Sequence, residues 1–596
     1  MAAGLKTGGY GEAGLKTGGY GEAGLKTGGY RGFPMPNLKL IAAGAIVAVV
    51  VGPVLLAQSP GGHVHYSSAP QDASPTGALA PRLQNLGTHT FTVSTRNRQA
   101  QLFINQGLNL AYAFNHAEAR RAFREAARLD PSLAMAYWGQ ALVLGPNINA
   151  QMEPNEEPSA YELVQKAMSL RARATPRERA YIEALAERYS GKAEDRRPRD
   201  EAYSAAMKKL HERYPNDLDA ATLYVESMMD LRPWGYWQRD GAPHAGTAEV
   251  VQLAEQVMAR NPKHPGALHM YIHLVEGTET PERAEKAADT LLTLMPAAGH
   301  MVHMPAHIYQ RVGRYADAIK SNQLAIAADV DYITQCRAQG LYPTGYYPHN
   351  IHFLWFAATF DGQSALALQS AKELAKKIDD GTLKAAPFTV GFRMPYYYAL
   401  TRFGRWEEML KEPEPPAFSV PLRAVWHYSR GLAFAATKRI DAAEMELTRI
   451  TALMADESMK QAMFSPNPTG AALAPAVEVL AGEIAAARGN FDQAILHLDR
   501  AVRLEDSLVY TEPSEFHFPP RHALGAVLLE AGRASEAETV YWEDLRRNRE
   551  NGWALFGLLQ ALRAQNKTAD ATLTEARFKA AWARADVTLR ASRFGR

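Results

Sequence analysis

The sequence predicts an all-α protein, an α-solenoid of stacked helix-turn-helix repeats. Small residues recur at fixed offsets with a period of about 34 residues. Apolar positions from Phe91 onward follow helical spacing, and no strand-like alternation interrupts them. Counting from Ala100 as position 1, Gly107 stands at 8, Ala119 at 20, Phe123 at 24, Ala126 at 27 and Pro131 at 32. Small residues at 8 and 20 let two helices cross closely, bulky residues fill the groove, and proline ends the second helix. The same offsets return at Gly431 with Ala443, at Gly482 with Ala494 and Ala501, and at Gly525 with Ala537. Trp553, Gly557, Ala569 and Ala576 repeat positions 4, 8, 20 and 27.

These residues resemble the tetratricopeptide repeat family. The resemblance implies a continuous core between neighbouring pairs and a concave face that binds a protein or peptide. A solenoid grows without separate cores, so 596 residues do not require several domains. Charge is nearly balanced, 65 Lys plus Arg against 63 Asp plus Glu, which argues against nucleic acid as a partner. The single cysteine, Cys336, excludes an internal disulfide framework and a thiolate metal cluster within one chain.

Residues 1–34 carry a glycine-rich decamer, GLKTGGYGEA, that recurs from Gly4, Gly14 and Gly24 and reads as low-complexity disorder. Its G-x-G-x-x-G at Gly9, Gly11 and Gly14 lacks the preceding strand and following helix that would make it a phosphate loop. Met35 offers a second start. Residues 35–57 have the order of a signal peptide or membrane anchor: Lys39, an apolar run Leu40–Ala57, then Gln58-Ser59-Pro60. The run is 18 residues long, at the short limit for a span, so it is either cleaved or contacts the membrane. Either outcome predicts a periplasmic or extracellular body, membrane-anchored if the run is kept. Residues 58–88, rich in Ser, Pro, Gly and Ala, are expected to be a flexible linker.

The solenoid then divides into residues 89–412, with a histidine-rich region, and 413–596, with Pro413, Pro415 and Pro416 marking the boundary. Asp130-Pro131, Tyr214-Pro215 and Asn261-Pro262 end helices. The segment from about 140 to 165, with Gly145-Pro146-Asn147-Ile148-Asn149, is expected to be a loop, as are Leu231–Trp237 and the aromatic stretch Tyr342–Asn350. Pro305, inside a helical pattern, fits a helix start.

Histidine does not fit a plain scaffold. Eight of 18 lie between His264 and His352. His269 and His273 are spaced i, i+4, as are His303 and His307; His300 and His303 are i, i+3, as are His349 and His352; Glu276 follows His273 by three. On a helix these separations place both side chains on one face, the way helical scaffolds present imidazoles to a metal ion. The candidate ligands are His269, His273, Glu276, His303, His307, His349 and His352, and the implied cofactor is a transition metal ion. A lone histidine is more often packed or hydrogen-bonded, so a polar lining of the groove is the competing reading. Met228, Met229, Met301 and Met304 offer soft ligation but read better as core. His63 and His65 read as linker, and His517 and His522 as packing around Phe518-Pro519-Pro520. Gly-x-Ser-x-Gly, His-Glu-x-x-His and Cys-x-x-Cys are all missing from the sequence.

From about residue 90 to 400 the chain also resembles a group of exported or uncharacterised bacterial tetratricopeptide proteins with histidine-rich helices, a kinship that brings no activity with it. Two readings follow: an exported scaffold binding a protein or peptide, and a metal-binding protein or metalloenzyme on the same solenoid. The sequence leaves open whether the protein is an enzyme.

Overall fold

The computed structural model describes residues 77–594 apart from 339, 462, 465 and 517. The decamers, the Leu40–Ala57 run, His63, His65 and His517 lie outside these residues. The described chain is an α-solenoid. The first pair, Arg98–Tyr112 and His116–Leu129, turns back through three residues and is therefore antiparallel. Four regular pairs close the chain: Val420–Ala436 with Ile440–Met454, Thr469–Ala487 with Phe491–Asp506, Pro520–Glu530 with Ala534–Arg547, and Gly552–Ala564 with Thr568–Ala581. Asparagines start several of these helices. Asn97 accepts the amides of Gln99 and Ala100, Asn490 that of Gln493, and Asn551 that of Ala554. Among the described residues the only sheet is the two-residue pair Met463–Phe464 and Asn467–Pro468.

The repeat register has a direct packing cause. A Cβ on Gly107 would sit 2.7 Å from the Phe123 ring, and one on Gly139, in the next pair, 2.4 Å from the same ring. Phe123, wholly buried, is thus clasped between two side-chain-free surfaces. Tyr541 lies in the same way between Gly525 and Gly557. Position 24 of one repeat therefore fills the notch that position 8 leaves on two successive first helices.

The middle of the chain alternates the helices Pro265–Val275, Gly299–His303 with Pro305–Arg311, and Tyr347–Phe360 with the outer helices Glu285–Leu291, Tyr315–Cys336 and Ser364–Lys377. The C-terminal repeats return against this middle. Trp553 Nε1 donates to the Thr359 carbonyl at 3.0 Å, Tyr315 Oη to the Arg549 carbonyl at 3.0 Å, and Arg584 pairs with buried Asp361 at 2.6 Å. Residues 77–594 accordingly pack as one compact unit, with the irregular Glu412–Ser419 joining its two regular stretches. One described helix, Thr469–Ala487, is long and apolar enough to cross a membrane, but it packs against Phe491–Asp506 with Leu473, Val479 and Leu480 buried.

Three local expectations change. Residues 77–88 are docked rather than a free linker: Ala80, Leu83 and Leu86 are buried, the Leu79 amide donates to Glu125 at 2.9 Å, and the Leu83 amide to Gln106 at 3.0 Å. An apolar residue at every third position gives this stretch enough area to bury to offset the cost of ordering it. The loop expected from 140 to 165 is shorter, because helix resumes at Glu157. Tyr342–Tyr346 winds as a π-helical turn running straight into Tyr347–Phe360 instead of forming a loop.

Candidate metal centre

His303 and His307 stand one repeat of about 34 residues after His269 and His273. Consecutive repeats therefore set equivalent i, i+4 pairs side by side, and Pro305 begins a helical segment where its missing N–H costs nothing. The inner helices bring six imidazoles together: His269, His273, His300, His303, His307 and His349. Ring centroids are 4.9 Å apart for His269–His273 and His269–His300, 4.6 Å for His303–His307, and 4.8 Å for His303–His349. Across the two groups, His273–His307 is 5.6 Å and His300–His303 is 6.0 Å. Aromatic walls hold the rings: Phe114 packs on His269 at 4.5 Å and His300 at 5.5 Å, and Phe353 stacks on His307 at 4.8 Å.

Hydrogen bonds then orient four of the rings, those of His269, His273, His303 and His307. His269 Nδ1 lies 2.6 Å from the Tyr112 carbonyl, which can only accept, so Nδ1 carries the proton. Asn322 Nδ2 donates to the Ala318 carbonyl, leaving its Oδ1 to accept from His303 Nδ1 at 2.7 Å. Glu276 takes His273 Nδ1 on one oxygen at 2.8 Å and His307 Nδ1 on the other at 2.6 Å. Burial holds the Glu276 carboxyl well above the usual range, with Arg311 opposing the shift. A protonated Glu276 could donate from only one oxygen, whereas the carboxylate keeps a proton on both rings.

With Glu276 as the carboxylate, the form that a neighbouring cation favours against burial, four Nε2 atoms would be bare toward the interior. Those of His269 and His273 are buried without a partner, and both nitrogens of His300 are also unpartnered. Those of His303 and His307 face each other at 2.6 Å. That is hydrogen-bond distance and needs a proton between the two nitrogens; an ion bound to both at tetrahedral angles would hold them about 3.3 Å apart. Burial opposes the proton. It pushes His269 and His349 down to about 4, and His273, His300, His303 and His307 well below the ordinary imidazole value, with neighbouring rings adding to the last four. Metal-ligating histidines are oriented in this way, one nitrogen held by an acceptor and the other offered to the ion.

A cleft of about 550 Å³ opens onto His273, His300, His307 and His349. Trp234, Tyr346, Phe388 and Phe392 give it apolar walls, and Glu512, from the loop before Pro520–Glu530, lines it with its carboxylate against His307 Nδ1. Sequence reasoning did not select His300, Asn322 or Glu512 as part of the site. His300 was visible as i, i+3 to His303; nothing periodic marks Asn322 or Glu512.

His352 does not join the cluster. Its ring stacks on Trp355 at 5.4 Å and meets Phe392 edge-on at 5.8 Å. His349 and Phe353 form the inner stripe of their helix, and a residue three after His349 is turned off it by about 60°. Met301 and Met304 are wholly buried in the apolar core.

A second histidine group has the opposite character. His89 Nε2, Tyr112 Oη and His264 Nε2 converge on Asp219 Oδ1 at 2.9, 2.7 and 3.3 Å. His264 Nδ1 accepts the Ala267 amide, so its Nε2 carries the proton. Burial would raise the Asp219 carboxyl, but the nearby His264 N–H and the His89 hydrogen bond outweigh it and hold it well below the usual range. The oxygen is surrounded by donors, so although spacing alone would admit an ion, the protons mark a structural lock. His522 is likewise saturated, between Arg402 at 3.0 Å and Asp544 at 2.9 Å.

No family model and no curated protein matches the chain. Among solved structures, the human IFIT1 dimer with m7Gppp-AAAA is similar at 12% identity and a TM-score of 0.30, covering 82% of this chain and 91% of its own. The APC/C hetero-tetramer Cut9-Hcn1 is similar at 10% identity and a TM-score of 0.28, covering 83% of this chain and 95% of its own. Likeness at this level carries no argument about what this chain binds.

Proposed function

We propose that this solenoid is a metal-binding protein that holds a first-row transition metal on its clustered imidazoles and offers it to a ligand in the adjoining cleft. The observation that carries this reading is the cluster of six imidazoles, four of them held at Nδ1 by the Tyr112 carbonyl, Asn322 and Glu276, with Nε2 of His269, His273 and His300 buried and unpartnered. Imidazole sets suit zinc, copper, iron and nickel. Three imidazoles leave a tetrahedral ion one position for water or substrate, which supports ligand binding or Lewis-acid activation. Elemental analysis of protein purified without a histidine tag, then stripped and reloaded, tests it. Bound metal at one equivalent or more is expected; none after reloading would overturn it.

The second reading is a scaffold for a protein or peptide. The aromatic cleft walls favour it, since Trp234, Tyr346, Phe388 and Phe392 could seat apolar side chains. It would stand alone if stripped protein binds a peptide equally well with and without metal. The near-neutral charge balance does not favour nucleic acid as the ligand. Residues 40–57 would deliver the body beyond the cytoplasm, and fractionation that finds full-length soluble protein in the cytoplasm would count against that.

A further inference from the structure

We infer that the centre holds two ions, one on His269, His273 and His300 and one on His303, His307 and His349. This rests on the metal-binding reading above and goes beyond it in nuclearity. Six imidazoles exceed the four positions of one tetrahedral ion. They separate into two sets, each offering ligand atoms within 4.8 Å of one another. Tetrahedral ligands 2.0–2.1 Å from an ion stand about 3.3 Å apart, so the first set needs a modest inward shift, while His303 and His307, whose Nε2 atoms lie at 2.6 Å, must part slightly. Among the described residues the one such triad that crosses from one set to the other is His273 and His307 with the Glu276 carboxylate.

The hydrogen bonds behind the imidazoles point the same way. Glu276 grips one ring of each set, His273 on Oε1 and His307 on Oε2, so one buried carboxylate orients ligands in both. His269 is aimed separately by the Tyr112 carbonyl and His303 by Asn322. Each set therefore has its own fixed tautomer plus a share in Glu276. Two divalent ions would also explain why Glu276 lies buried against His273 and His307, since its charge would be partly neutralised. The sets adjoin across His273–His307 and His300–His303 at 5.6 and 6.0 Å, which places the two ions beside each other at the cleft.

The test is metal stoichiometry of untagged full chain, stripped with chelator, loaded with Zn(II) and freed of excess by gel filtration. Wild type should carry about two ions per chain. His269→Ala with His300→Ala should carry about one, as should His303→Ala with His349→Ala, both with helical circular dichroism retained. A wild-type ratio of about one would overturn the two-ion inference while the metal-binding reading stands; a ratio of zero would remove both. Cu(II)-loaded wild type gives a readout independent of the variants. Coupled ions should give an electron paramagnetic resonance signal below the copper content. A mononuclear signal accounting for all the copper would overturn the inference.

Discussion

Glu276→Gln is the substitution on which the tautomer argument bears most directly. The side chain is 1% exposed and accepts one imidazole N–H on each oxygen, at 2.8 and 2.6 Å. Glutamine keeps the shape but offers one acceptor and one N–H₂ donor. One ring, His273 or His307, must then move its proton to Nε2, the nitrogen that faces the ion. Loss of such an orienting partner typically costs 10–100-fold in metal affinity, about 1.4–2.7 kcal/mol. Because burial already disfavours the Glu276 charge, the metal-free protein should not lose stability to match. Competition of stripped protein with a chromophoric chelator for Zn(II) measures the change. Glu478→Gln is the control, its partner His497 being partly exposed at the surface. If Glu276→Gln binds within twofold of wild type, the orienting role is wrong.

Gly139→Ala puts a methyl 2.4 Å from the Phe123 ring and should destabilise by about 1–3 kcal/mol in urea, despite alanine's better helix propensity; Phe123→Leu in that background should recover part of the loss. A neutral Gly139→Ala would refute the notch packing. For His269 the unfolded imidazole takes its proton near 6.5 and the folded one near 4, so stability is lost as pH falls through that window. In metal-free protein, His269→Gln should shrink the difference in unfolding free energy between pH 7 and pH 5 by about 2 kcal/mol, and an unchanged difference would contradict a neutral buried ring. Asp219→Asn should cost about 2–3 kcal/mol in thermal or chemical melts yet leave metal content unaltered; loss of metal would move that group from lock to ligand site.

The fold was legible because its packing rule is written in single residues. Gly107, Gly139, Gly525 and Gly557 are small where an aromatic ring must enter, and that requirement repeats in register. The candidate site was legible in its i, i+4 pairs, since helical spacing fixes which side chains share a face. His352 misled because an i, i+3 partner can fall off the inner stripe, and which way it turns depends on Trp355 and Phe392 from the packed structure. Glu512 reaches His307 only because the C-terminal repeats fold back on the middle, and no local pattern encodes that return. The docked stretch 77–88 was hidden by its composition, although Ala80, Leu83 and Leu86 were its signal.

The most direct measurement is anomalous diffraction at the metal absorption edge from crystals of untagged protein loaded with Zn(II). Peaks are expected among the Nε2 atoms of His269, His273, His303 and His307, at about 2.0–2.1 Å from the ring nitrogens, with Glu276 still holding the Nδ1 atoms of His273 and His307. Peaks confined to surface residues such as His497, with the buried imidazoles metal-free, would contradict it.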